Sequence, residues 1–514
     1  MRRGDAHAAQ EAPAQAAPAE RSAEERRQQP HMIAQPAIAE RVRRAGLRIP
    51  LPLVALLTAA LALRIFTMDA YRPAVLTMAD STAYVWAAGG ELYGDAVRPA
   101  GYSLFLRGAH LVSADVSFTI GVQHLFGLVS ALLLYLTTRR LGGGQWLSLV
   151  PAGAVALSGD QMMLEHTLLS EAPFTFLLCS SVYAAVRMLD SRQPALWGAS
   201  AGLLLAAAAT VRTAALVLVP LLALWGAFSV PGTWQRRLAS GGAVLAAGVA
   251  LLGAYSVFQH RAEGTWTLTR ASGWALYSRV APFANCTEFT PPRETRFLCE
   301  TTPTDQRPGP EYYGWVGGPA RARFGDPPTG NSQLEAFSQR VVLNQPIDYA
   351  RAVLKDTVRY FVPGFGFDRA YGGTGPELFV WDRRAPGYEE QIEAAVESYY
   401  DSFDLRLSPG GVRALADYQD LVRVHGILLF QLLALGVVGL FLTSGRSRRG
   451  LILLLGTTIV LLVLPAATTA YSARYALPVE GLAAAAAALA GSAVLVRLRG
   501  SGTMPNAQER TQGS

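Results

Sequence analysis

The residues of this chain best suited to chemistry stand at the ends of long apolar runs. Asp80 and Tyr84 follow the first run, in Met78-Ala79-Asp80-Ser81-Thr82-Ala83-Tyr84, and Arg98-Pro99-Ala100-Gly101-Tyr102 comes shortly after. Asp160, Glu165, His166 and Glu171 fall between the third and fourth runs, and Arg212 lies in a tight turn between the fifth and sixth. Tyr471, Arg474 and Tyr475 precede the last. A carboxylate beside water is a candidate general base. An arginine offers an oxyanion two parallel hydrogen bonds. Ionised groups near membrane depth are costly, so they face polar cavities and mark sites. These come from four separate connections on one side of the membrane and form one candidate site.

Each also has a plainer role. Asp80 and Ser81 suit the N-cap of a short interfacial helix, which is the simpler reading of those two residue types alone. Glu171, at the start of a helix, suits the helix dipole. Arg474 can snorkel to the interface, and Tyr471 and Tyr475 fit an aromatic belt. Arg212 is a cation on the side where positive charge is scarce, which favours an anionic partner over snorkelling. His166 is open between packing, hydrogen bonding and metal binding. Asn285-Cys286-Thr287 is formally a glycosylation sequon, a short motif that also arises by chance.

The elements that must position these residues are membrane helices. The chain has 514 residues, 51% hydrophobic and only 16% charged, where a soluble protein carries about a quarter charged. About ten spans fit, near 50–67, 117–137, 145–160, 171–188, 194–209, 211–229, 239–258, 422–443, 449–466 and 475–496. Arg41, Arg43, Arg44 and Arg48 precede the first. By the positive-inside rule they set the N-terminus in the cytoplasm. The joints bearing Arg139 and Arg140, Arg187 and Arg192, Arg236 and Arg237, Arg446, Arg448 and Arg449, and Arg497 and Arg499 then fall on that same side. The net charge of +7 is used by this topology, so nucleic acid is not an expected partner.

The expected organisation is an all-α polytopic membrane protein with a large α-rich extracytoplasmic lobe. Residues 1–45 have the composition of a disordered cytoplasmic tail. The segment 46–258 is a membrane module with an outer loop at 68–116, followed by the lobe at 259–421. Spans at 422–497 and a cytoplasmic tail at 498–514 complete the chain, an integral plasma-membrane protein with both termini inside. Within the lobe, 346–361 has helical spacing and suits either the membrane surface or packing against the lobe. Cys286 and Cys299 can close a small disulfide loop on the oxidising face, while Cys179 lies in an apolar run.

The order of these features resembles the polytopic GT-C class glycosyltransferases, in particular the protein O-mannosyltransferase and lipid A aminoarabinose transferase branch. Asp80-Ser81-Thr82-Ala83-Tyr84 and Arg98-Pro99-Ala100-Gly101-Tyr102 resemble the family's acidic residue and downstream Pro-Gly-Tyr segment. Leu169-Ser170-Glu171-Ala172-Pro173 resembles its Ser-Glu-Pro helix start, Arg212-Thr213 its Arg turn, and Arg474-Tyr475-Ala476-Leu477-Pro478 its Arg-Tyr-x-x-Pro segment. Ser81 stands where many relatives carry a second acid, and Ala100 where Pro is usual. The resemblance implies a sugar donor on a polyprenyl phosphate and an extracytoplasmic glycan, lipid or protein acceptor. It gives Asp80 the role of base and Arg212 and Arg474 that of phosphate ligands. Tyr84, Arg98, Tyr102, His166, Glu171 and Tyr475 would line the substrate site, with a divalent metal ion at Glu171 and His166 if the reaction uses one. The competing classes are a polytopic lipid or solute transporter and a non-catalytic membrane receptor. A transporter predicts matched halves, but here seven spans precede the lobe and three follow it.

Overall fold

The computed structural model describes residues 50–76, 80–362, 381, 389–424 and 426–501. The expected tail at 1–45, most of that at 498–514, and parts of the lobe lie outside these residues. The chain divides into Met1–Val54 and Ala55–Ser514, and the helical bundle and the lobe belong to the second unit. Among the described residues six helices are long and apolar enough to cross a membrane. They are α1 (Leu51–Ala70), α4 (Val116–Arg140), α8 (Pro194–Val211), α10 (Trp234–Glu263), α18 (Gly445–Thr468) and α19 (Leu477–Ser501). Between them come α2 (Asp80–Gly89), α3 (Gly101–His110), α5 (Leu149–Ala156), α6 (Gly159–Glu165), α7 (Glu171–Met188) and α9 (Leu218–Ser229). The lobe holds α11 (Ser272–Val280), α12 (Gly318–Phe324), α13 (Asn331–Asn344), α14 (Pro346–Arg359), α15 (Glu389–Glu397) and α16 (Pro409–Leu421), and α17 (Ile427–Leu442) returns to the bundle.

Six of the expected spans fall on the six long apolar helices and two more, 211–229 and 422–443, on the shorter apolar helices α9 and α17. The span at 171–188 falls on α7, an 18-residue helix less apolar than the six. The exception is 145–160. Its helix α5 has eight residues, about 12 Å of rise, and stops at Leu157. There Ser158 takes extended backbone angles and caps α6 by accepting from the Gln161 amide. Arg64 Nη1 donates to the freed carbonyl of Ala156 at 2.7 Å. An apolar run with an internal cap therefore makes two short helices.

Small residues bring the spans together. A side chain at Gly202 would lie 2.1 Å from the Val244 carbonyl, so α8 and α10 pack at backbone contact. The Arg-rich joints meet at one end of the bundle. Asp190, after α7, binds Arg140 at 2.9 Å and Arg446 at 2.7 Å, and Arg236 donates to the Ser191 carbonyl. The candidate residues lie at the other end.

There the lobe has its own core, formed by Trp274, Tyr277, Tyr313, Phe337 and Val341, with Cys286 and Cys299 packed against it. The expected disulfide joins them, with Cα atoms 5.8 Å apart. A two-residue antiparallel ladder, β1 (Tyr71–Arg72) with β2 (Arg406–Leu407), ties the loop after α1 to the far end of the lobe.

Candidate active site

The loop after α1 carries a helical pair, α2 and α3, held over the start of α7. Ser103 Oγ donates to the Tyr84 carbonyl at 3.0 Å, and Arg107 Nε donates to the Ala88 carbonyl at 2.6 Å, so α3 seals the C-terminal end of α2. Ser81 Oγ donates to the Leu168 carbonyl, and the Tyr84 hydroxyl donates to Ser170 Oγ at 3.1 Å. These bonds set Asp80, the first residue of α2, beside Glu171, the first residue of α7. Gly101 brings in the third element. A Cβ there would lie 2.4 Å from the Thr210 carbonyl, so only glycine lets α3 begin against the last turn of α8, which ends at Arg212.

Both oxygens of Asp80 are held by guanidiniums. Oδ1 accepts from Arg98 Nε at 2.8 Å and Oδ2 from Arg474 Nη1 at 2.6 Å. Arg98 is oriented in turn by Asp95, whose Oδ2 accepts from Arg98 Nη1 at 3.0 Å while Oδ1 accepts from the Val97 and Arg98 amides. Burial pushes the Asp80 carboxyl up, but the Arg98 and Arg474 charges outweigh it and hold the group well below the usual carboxylate range. Asp80 is therefore ionised at neutral pH.

Glu171 forms the second half of the site. Its Oε1 accepts from Arg212 Nη1 and lies 3.5 Å from Arg474 Nε, so Arg474 spans both carboxylates. Its Oε2 is buried and has no hydrogen-bond partner among the described residues. Tyr475 separates the two guanidiniums. Its ring centre is 5.1 Å from Arg212 Cζ and 5.5 Å from Arg474 Cζ, within cation–π range of both. Burial, then the Asp80 charge, pushes the Tyr84 phenol up to about 12, so it stays a neutral donor.

Asp80, Tyr84, Arg98, Glu171, Arg212, Arg474 and Tyr475 are thus brought together. Tyr102 lies behind them, fully buried, donating to Gln123 Oε1 at 2.7 Å and meeting the Tyr84 ring edge-on. It packs behind Tyr84 with no exposed surface of its own. His166 belongs to a separate network. One ring nitrogen is 2.6 Å from the Tyr71 carbonyl and the other 3.1 Å from His124, which contacts Glu165, the partner of Arg64. Burial and the neighbouring His124 lower the His166 pKa to about 3, so it is neutral. With both nitrogens engaged, His166 offers no metal ligand to this site. Asp160 is also apart, accepting from Gln419.

Asp95 was not singled out from the sequence, and Ser170 was named only as part of the Ser-Glu-Pro helix start. The Asp-x-x-Arg spacing of Asp95 and Arg98 is the signal that marks Asp95, a spacing at which a turn pairs the two side chains. Among the described residues no group of three or more His, Cys, Asp or Glu side chains is placed to hold a metal ion. The carboxylates face guanidiniums, a donor set that suits an oxyanion.

Residues 97–258 match the family model described as dolichyl-phosphate-mannose-protein mannosyltransferase. The matched segment contains Arg98, Tyr102, His166, Glu171 and Arg212, and it bears out the resemblance to GT-C class glycosyltransferases. No curated protein sequence matches the chain. Among solved structures, the apo oligosaccharyltransferase of Archaeoglobus fulgidus is 14% identical, covering 87% of this chain and 51% of its own, at a TM-score of 0.43. The same enzyme with an inhibitory peptide and a dolichol-phosphate is 12% identical, covering 90% and 52%, at 0.40. The Saccharomyces cerevisiae protein O-mannosyltransferase Pmt1-Pmt2 complex bound to the sugar donor is 17% identical, covering 45% and 36%, at 0.34. The chain thus spans about half or less of the length of each.

Proposed function

We propose that this chain is an inverting glycosyltransferase that moves a sugar from a polyprenyl-phosphate donor to an extracytoplasmic acceptor, with Asp80 as general base. The observation that carries the reading is Arg474, one guanidinium shared between Asp80 and Glu171 with Arg212 beside it. Base and oxyanion ligands then meet at one end of a membrane bundle. The Cys286–Cys299 disulfide supports an oxidising, extracytoplasmic setting for that end. The arginine joints gathered at the opposite end support cytoplasmic termini.

The chemistry follows from the charges. The acceptor hydroxyl gives its proton to an Asp80 oxygen and attacks the anomeric carbon. The bond from that carbon to the phosphate oxygen breaks, and the electron pair leaves on the polyprenyl phosphate. Attack from the face opposite the phosphate inverts the carbon. The phosphate gains negative charge as it leaves, and Arg212 and Arg474 are placed to hold it. In doing so Arg474 turns away from Asp80. A carboxylate that loses one of two cationic neighbours becomes a stronger base, so donor binding switches the base on. Glu171 Oε2 is a ready acceptor for a sugar or acceptor hydroxyl.

The test is transfer by purified protein with a panel of polyprenyl-phosphate sugars, read as released polyprenyl phosphate and glycosylated acceptor. Activity with a nucleotide sugar alone, and none with any lipid-linked donor, would overturn the reading.

A further inference from the structure

Helix α14 is an element of the lobe that the proposed chemistry does not use. Its inner side is fixed to the outer end of a membrane span. The Tyr349 hydroxyl donates to the Ala467 carbonyl at 2.9 Å, and Arg279, the partner of Asp356, donates to the Ala466 carbonyl at 3.1 Å. Ala466 and Ala467 lie in the last turn of α18. Just past α14, Phe361 packs against Phe430 in the first turn of α17, with ring centres 5.9 Å apart. Both attachments are at the rim where two apolar helices leave the lobe, so α14 runs at the level of the bilayer surface.

Its outer side mixes two chemistries. Ile347, Leu354 and Val358 are 65%, 64% and 46% exposed. Arg351 and Lys355 are exposed in the same row, and with Leu354 and Val358 they line a shallow groove of about 450 Å³. At about 100° per residue these positions share a stripe roughly a quarter of the helix circumference wide. Protein contacts do not need such a stripe on the side turned away from the lobe. An anionic bilayer surface does, because aliphatic side chains enter the acyl boundary while cations meet headgroup phosphates.

We propose that α14 lies in the plane of the membrane and binds the anionic lipid headgroups of the outer leaflet. This rests on the chain spanning a membrane, not on the transferase reading. The contact reaches the site. Tyr360, the residue after α14, packs on Tyr471 at 4.8 Å, three residues before Arg474. Seating the helix on lipid therefore sets the height of the Arg474 turn above the bilayer.

The test is fluorescence of full-length protein in vesicles, with a bimane label at Leu354→Cys or, separately, Val358→Cys, and at exposed Gln339 on α13 as a control. Lipids brominated near the headgroup should quench the α14 labels and not the control. Quenching should be stronger in phosphatidylglycerol than in phosphatidylcholine. Arg351→Glu with Lys355→Glu should remove that difference, since each cation contributes about five-fold to partitioning near an anionic surface. A monodisperse, undiminished thermal transition keeps the charge-reversed protein interpretable. Unquenched labels at both positions would overturn the proposal. Equal quenching in the two lipids would overturn its anionic part, and loss of quenching on adding polyprenyl phosphate would assign the groove to a lipid donor instead.

Discussion

Arg474 and Asp80, separated by 394 residues in the chain, are joined by a hydrogen bond of 2.6 Å. The contact links the turn before the last span to the loop after the first, and on the proposed mechanism it ties the base to a ligand of the donor phosphate. Arg474→Ala should weaken donor use by about ten- to a hundred-fold, the scale of a lost charge-assisted contact. Losing a cation also raises the Asp80 carboxyl, so the acid limb of the kcat/KM profile should move to higher pH. Lysine should restore the limb but only part of the donor use, since an ammonium keeps the charge without the two-point geometry. An acid limb that stays put in Arg474→Ala would mean that Asp80 is not the titrating group.

Glu171 and Arg212 behave as a buried pair, with side chains 2% and 18% exposed. Removing either leaves a charge without its partner, a loss of about 3–5 kcal/mol for a fully buried pair and less here because Arg212 is partly solvated. Arg212→Ala alone therefore lowers the melting temperature as well as activity. The double variant Glu171→Gln with Arg212→Met should recover stability while remaining inactive. Recovery of both would make the pair structural only.

Gly101 is a steric test of how the first loop is set. Gly101→Ala forces the backbone of α3 off that of α8, because the new Cβ meets the Thr210 carbonyl at 2.4 Å. Gly108→Ala, on the same helix with nothing within 4 Å, is the control. The first should reduce transfer at least ten-fold and lower the melting temperature, and the second should do neither. Equal behaviour of the two would show that the loop is not set by this contact.

The spans and the residues at their ends were legible because hydropathy fixes where a helix leaves the bilayer, and an ion at that point is conspicuous. Asp80, Glu171, Arg212 and Arg474 are of this kind. Which way a side chain turns was not legible. Tyr102 and His166 sit as close in sequence to the site as its members do, yet one turns behind α2 and the other toward Tyr71. Asp95 was hidden for the opposite reason, as one acid in a loop with several polar residues. The break in α5 escaped because its apolar composition continues through Ser158, and only the cap distinguishes two short helices from one span.

The lobe's side of the membrane can be read from its cysteines. The chain has three, of which Cys179 is free and buried. Denatured protein should titrate one thiol before reduction and three after. Single cysteines added beside Arg139 or Arg236 should resist an impermeant reagent in intact cells, while positions in 300–330 should react. Labelling at the Arg236 joint in sealed cells would invert the topology.

Whether Asp80 is the base is decided by the transfer kinetics of Asp80→Asn. The amide matches the carboxylate in size and capping ability but cannot take the acceptor's proton. The variant's kcat should be lower by about 10²-fold or more, with donor KM no higher, since Arg212 and Arg474 both remain to hold the phosphate. Asp80→Glu, which displaces the charge by one carbon–carbon bond, should also be poor. An Asn variant that transfers sugar within a few-fold of the parent would contradict the assignment of Asp80 as the base.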